Sequence, residues 1–160
     1  QQRSSAASDV YKRQATAFES DSSGKAAIGH GYTYSGHPVG AAAALAAIAE
    51  TRRLDVVTNA AARGTQLYDG MVSLAGQYPV VGDVRGGHGL MTAMELVADR
   101  ETKAPIDGKL AIKMQKAAYQ AGALIRVSGP NVILSPSLVI EEADIDIALN
   151  AVEEGLKAIS

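Results

Sequence analysis

Few side chains in this sequence are of the kinds that do chemistry. It has three histidines, His30, His37 and His88, and no cysteine, which excludes thiolate nucleophiles, thiolate metal sites and disulfides. Neither an HExxH pair nor a Walker phosphate loop is present. His88 stands in the turn-like run Arg85-Gly86-Gly87-His88-Gly89 without a visible partner, so a structural or incidental role outweighs a catalytic one. Glycine-rich backbone of this kind can cradle phosphate through its N–H groups, but the lysine and following helix that make such a loop specific are missing.

Two other places are richer. Gly29-His30-Gly31-Tyr32-Thr33-Tyr34-Ser35-Gly36-His37-Pro38 gathers hydroxyls, small residues and backbone donors just ahead of a helix start. Free N–H groups and the positive end of the helix dipole favour an anion there, although an ordinary helix-capping turn explains the same residues at least as well. Arg126 interrupts a short apolar run between Ile125 and Val127. Its guanidinium must face solvent or pair with an anion, for which a carboxylate is the bidentate match. The residue types alone favour a surface edge, since arginine is seldom fully buried.

The elements that must position these residues can be read from spacing. Pro38 suits the first position of a helix, and the Ala/Leu run behind it extends to Arg52 and Arg53. Alanines on every side of that helix predict close packing against a neighbouring backbone. Val57, Ala61, Gly64, Leu67, Met71 and Leu74 recur at three- and four-residue steps and predict a second helix over 55–74. Val80–Arg85 and Leu90–Val97 read as strands around a glycine-rich turn. Asp107 can cap a third helix with Leu110, Met114, Ala117 and Ala118 on one stripe, and Gly122 can end it. Leu124–Val127 and Val132–Leu134 predict a hairpin around Ser128-Gly129-Pro130-Asn131. A last helix runs over 141–159, with Ile145, Ala148, Val152, Leu156 and Ile159 on one face and Glu141, Glu142 and Asp144 at its start. This order predicts an α/β class fold with helices packed on a small sheet. Residues 1–14 lack periodicity, resemble sequencing-adapter read-through, and are set aside as a non-native or disordered tail. Ala15–Gly31 reads as loop.

Composition bounds the function. The 160 residues are 47% hydrophobic and 20% charged, ordinary for a folded chain with one core. A net charge of −2 and the lack of a basic run argue against a nucleic-acid partner. The longest apolar run, Val39 to Ala49, is far short of the roughly 20 residues a bilayer crossing needs. The first residues show no signal-peptide pattern, so no membrane partner and a cytoplasmic location are the default expectations.

Three segments carry a family resemblance. GHGYTYSGHPVGAAAALA at 29–46, VGDVRGGHGLMTAMELVADRETKAPID at 81–107 and GALIRVSGPNVILSPSLVI at 122–140 resemble, in order, segments of the class III aminotransferases. Within that family the chain resembles the ω-amino acid and amine:pyruvate transaminases. The resemblance implies a fold-type I enzyme that uses pyridoxal 5'-phosphate to move an amino group from an amino donor to a keto acid such as pyruvate, and that works as a homodimer. It assigns residues 15–53 to the end of the large domain and 54–160 to the carboxy-terminal small domain. It further implies that Thr33 gives its hydroxyl, and Tyr32 its backbone N–H, to the cofactor phosphate across the dimer interface. Arg126 would hold the carboxylate of donor or acceptor.

The family's Schiff-base lysine, its aspartate partner for the pyridine nitrogen and its stacking aromatic lie ahead of the first matching segment and have no counterpart here. Lys25, Lys103, Lys109, Lys113, Lys116 and Lys157 sit on polar helix sides or in loops, whereas such a lysine needs a desolvated site. This chain is therefore expected to be inactive alone. Arg85–Gly89 is one residue longer than the family's usual turn, which leaves the strand register open and a bulge able to absorb the difference. Two alternatives stand beside the transaminase reading. One is an isomerase of the glutamate-1-semialdehyde aminomutase kind, told apart by whether external pyruvate is needed. The other is a non-catalytic α/β binding module, told apart by behaviour as a well-mannered monomer.

Overall fold

A computed structural model describes residues 12–23 and 33–160. Two compact units divide the chain, Gln1–Ala44 and Leu45–Ser160. In the first, residues 12–19 form a helix, α1, where 12–14 were expected to belong to a disordered tail and Ala15 onward to a loop. Lys12, Arg13, Gln14, Ala15, Ala17 and Glu19 have good helix propensities, which the serine-rich residues around them mask. The Thr16 hydroxyl closes back on the Lys12 carbonyl at 2.8 Å.

Helix α2 spans Pro38–Arg53, with the predicted bounds. His37 caps it, accepting the Gly40 N–H on Nδ1 at 3.2 Å, and Arg52 and Arg53 lie at its negative end. The expected close packing is absent among the described residues: no residue of α2 is buried. Small side chains reduce the exposed apolar area, yet Val39, Leu45 and Ile48 are each at least half exposed.

The second unit contains one core. Helix α3, Val56–Gln77, follows Asp55 in a left-handed conformation, and buries Val56, Gly64, Leu67, Met71 and Leu74. Val57, expected on the apolar face, is 73% exposed, because the helix turns Val56 inward instead. At its far end Arg100 donates to the carbonyls of Ala75, Tyr78 and Val81. A cation there satisfies the Ala75 carbonyl in the last turn of the helix and interacts favourably with the negative end of its dipole.

The sheet is antiparallel, in the order β1 (Val81–Arg85), β2 (Thr92–Asp99), β5 (Asn131–Leu134), β4 (Arg126–Ser128), with β3 (Ala104–Pro105) also paired to β2. The register beside the glycine turn is unbroken, with Arg85 opposite Ala93 and Val84 opposite Met94. The irregularity in this pair lies at Gly82, between Val81 and Asp83, and not beside the glycine turn. The β4–β5 hairpin turns at Gly129-Pro130 between paired Ser128 and Asn131. The strand there is shorter than expected, leaving Leu124 and Ile125 ahead of it.

Helix α4, Gly108–Gln120, is capped by Asp107, whose carboxylate accepts the Lys109 N–H at 2.9 Å. Its buried stripe is Ala111, Met114 and Ala118, with Leu110 and Ala117 only half-buried. Gly122, at φ +105°, closes it. The Ala123 N–H reaches the Ala118 carbonyl and the Gly122 N–H reaches that of Tyr119, a double closure that needs a left-handed residue. Helix α5, Glu142–Lys157, packs on α3 and α4. Leu67, Met71, Met94, Leu96, Met114, Ile145, Val132 and Leu156, fully buried, join helices and sheet. Each contributes roughly 1.5–3 kcal/mol through removal of apolar surface from water.

Candidate functional site

The strand register sorts the sheet into two faces. Val84, Met94, Val132 and Val127 lie opposite one another and belong to or pack on the core under the helices. Side chains alternate along a strand, so the neighbouring rows share the other face: Arg85, Ala93, Ile133 and Arg126 in one row, and Asp83, Glu95, Asn131 and Ser128 in the next. None of these residues is buried.

The two arginines at the ends of that row differ in their partners. Arg85 donates to Glu95 at 2.8 Å, Asp83 at 3.0 Å and Asn131 at 2.7 Å. The bond to Glu95 first, and then that to Asp83, raise its pKa above the usual guanidinium value. It is a strand-to-strand clamp with its donors engaged. Arg126 sits exposed on edge strand β4, and no hydrogen bond or ion pair engages its guanidinium among the described residues. The edge position expected from the residue type is thus observed, together with an available guanidinium fork.

Beside Arg126 opens a cavity of about 480 Å³ at the strand ends. Ala123, Leu124 and Ile125 line it before β4, Leu134, Ser135 and Pro136 at the end of β5, and Met91 at the start of β2, with Leu67 and Ile145 behind. Among the described residues that line it, Arg126 is the single charged one. Nothing in their residue types singles out Met91 and Leu124, because both look like strand residues bound for the core. Instead they are 70% and 81% exposed. Their positions next to a glycine loop and just after a helix-ending glycine were the available signal.

Thr33 lies exposed in the 33–36 turn that leads into α2, whose first turn carries no acidic residue. The start of a 16-residue helix whose first turn carries no acidic residue suits an anion, and Thr33 lies five residues ahead of it in sequence. Tyr32 lies outside the described residues. Lys103, Lys109, Lys113, Lys116 and Lys157 are all exposed, as is Lys12. The pKa of Lys157 is raised by Glu154 and then Glu153, the reverse of what a nucleophilic amine needs. Lys103 donates to the Gly82 carbonyl at 2.7 Å. Lys25 lies outside the described residues.

His88 is exposed, with no hydrogen-bond partner among the described residues, at the rim of an apolar cavity that includes Val57, Ala61, Thr65 and Leu138. That agrees with an incidental histidine. The loop around it is held close to α3: a Cβ on Gly64 would meet the Gly89 carbonyl oxygen at 2.3 Å. Among the described residues no cluster of metal ligands occurs and no helix is long and apolar enough to cross a membrane.

Comparison with known proteins adds independent findings. The sequence profile of the family described as aminotransferase class-III matches residues 7–156, starting inside the stretch set aside as a tail. The taurine–pyruvate aminotransferase of Bilophila wadsworthia is 37% identical over 134 residues, covering 79% of this chain and 29% of that protein. The putrescine–pyruvate aminotransferase of Pseudomonas aeruginosa is 33% identical over 118 residues, 73% of this chain and 26% of the relative. An amine transaminase from an uncultivated Pseudomonas species, solved in its pyridoxal-phosphate-bound form, superposes with a TM-score of 0.80 at 38% identity, over 91% of this chain and 33% of that one. The chain spans under a third of the length of these relatives. With the profile covering nearly all of it, the chain belongs to the class III aminotransferases.

Proposed function

We propose that the protein containing this chain is a pyridoxal-phosphate transaminase that moves an amino group from an amine or amino acid to a pyruvate-like keto acid. The whole enzyme would work as a homodimer in the cytoplasm, and the chain alone would be inactive. Residues 15–53 would close the large domain and 54–160 form the small one. The cofactor, when bound, supplies the electron sink and carries the amino group between substrates. Thr33, through its hydroxyl, and Tyr32, through its backbone N–H, would hold the phosphate of the cofactor in the partner subunit. Arg126 would bind the substrate carboxylate through two N–H donors and fix the orientation of the adjacent carbon. The lysine that serves as nucleophile and proton carrier would come from the rest of the protein.

What supports this reading most is the unengaged Arg126 guanidinium beside an apolar cavity in a class III chain. Charge-assisted hydrogen bonds are worth about 1.5–3 kcal/mol. Arg126→Gln in the whole enzyme should therefore raise KM for pyruvate by roughly ten- to a hundredfold, while KM for an amine lacking a carboxylate changes little. Steady-state kinetics with both substrates varied decides it. Equal effects on the two KM values would remove Arg126 from the carboxylate site.

A further inference from the structure

We infer that the cavity beside Arg126 receives the aliphatic tail of a monocarboxylate, which makes Met91 and Leu124 specificity-determining residues for the acid held there. This rests on Arg126 as the carboxylate anchor. Charge complementarity sets the ligand class: one unengaged guanidinium matches one carboxylate, and every other lining side chain is apolar except the Ser135 hydroxyl. A second carboxylate, as in a dicarboxylic keto acid, would leave water for Leu124, Met91 and Ile133 with no cation to meet it. A terminal ammonium would find no carboxylate in the lining. The space, about 480 Å³, is in the range of small-molecule sites.

Met91 and Leu124 give the cavity its selectivity. At 70% and 81% exposed they are large apolar side chains left uncovered, one ahead of β2 and the other ahead of β4. A ligand tail between them would cover surface that the described chain does not. Leu67 and Ile145, fully buried, form a floor that belongs to the core and cannot move away to admit a polar group.

The test is a ¹H–¹⁵N chemical-shift titration of the 160-residue chain with pyruvate, 2-oxobutanoate, 2-oxopentanoate and 2-oxoglutarate. Affinity should rise about fourfold for each added methylene. The shifts should cluster at residues 91, 123–126 and 133–136, and 2-oxoglutarate should bind no more tightly than pyruvate. In Leu124→Ser and Met91→Ser the affinities of the longer acids should fall toward that of pyruvate. Arg126→Gln should weaken all the acids by one common factor. A flat chain-length series that Arg126→Gln still weakens would overturn the tail pocket and leave the anchor standing. Binding indifferent to Arg126→Gln would overturn the anchor and this inference together. Absence of shifts in the cavity with every acid would overturn the inference alone, since the kinetic test judges the anchor independently.

Discussion

Thr92 carries a hydroxyl that is fully buried and has no hydrogen-bond partner among the described residues. An unsatisfied buried hydroxyl costs about 1–3 kcal/mol, so Thr92→Val should stabilise the chain by roughly 1 kcal/mol in urea denaturation. A loss of stability would mean that a bound water satisfies it. Asp99 shows the opposite economy, its carboxylate accepting the Thr102 N–H and hydroxyl, both at 2.7 Å. The N–H bond and then the hydroxyl bond hold its pKa below the usual 3.8. A depressed carboxylate stabilises above its unfolded pKa and loses that contribution as pH falls through its folded value. Thermal denaturation between pH 2 and 6 should therefore show Asp99→Asn shrinking the acid-side decline. For Lys157 the sign reverses: its pKa is raised, so its contribution is complete below the ordinary lysine value of 10.5 and fades only as pH rises beyond it. No loss from this group is expected between pH 6 and 9.

At the element scale, close approach and chain reversal create the sharpest sensitivities. Gly64→Ala would push a methyl into the Gly89 backbone and separate α3 from the loop. It should cost about 1–3 kcal/mol in denaturant unfolding, whereas Gly76→Ala on the same helix meets nothing within 4 Å and should be neutral or stabilising. These elements were legible because their signals are local. Pro38, Asp107 and Gly122 mark helix ends through backbone geometry, and the three- and four-residue steps of Leu67, Met71 and Leu74 mark a core face. What local pattern cannot convey is which turn of a stripe meets the core. Val56 replaced Val57 for that reason, and Leu124 moved from strand to cavity lip. Arg126 was visible as an anomaly in an apolar run, but its lack of a partner depends on the strand register that sets Arg85, and not Arg126, among Asp83, Glu95 and Asn131. Helix α1 was missed because its six residues of favourable propensity lie inside a serine-rich stretch.

Across the whole molecule, α2 presents Leu45 and Ile48 to solvent. Contiguous apolar surface of this kind promotes association. Sedimentation velocity should show concentration-dependent association that the double substitution Leu45→Gln, Ile48→Gln reduces; a clean monomer throughout would favour a stand-alone module. Because every described lysine is exposed, pyridoxal phosphate followed by borohydride should label this chain diffusely, by mass spectrometry, with no one lysine dominating. A single dominant adduct would identify a nucleophile and make the chain catalytic in its own right. The edge strand that holds Arg126 also bears on how such a protein can change over generations. Leu124, Arg126 and Met91 project from a rim whose removal leaves Ile125, Val132 and Leu134 packed. A library randomised at the three rim positions should keep most members folded, and one randomised at the three packed positions should not. The surface formed by the three rim positions can thus drift by mutation at little risk to the scaffold that carries it.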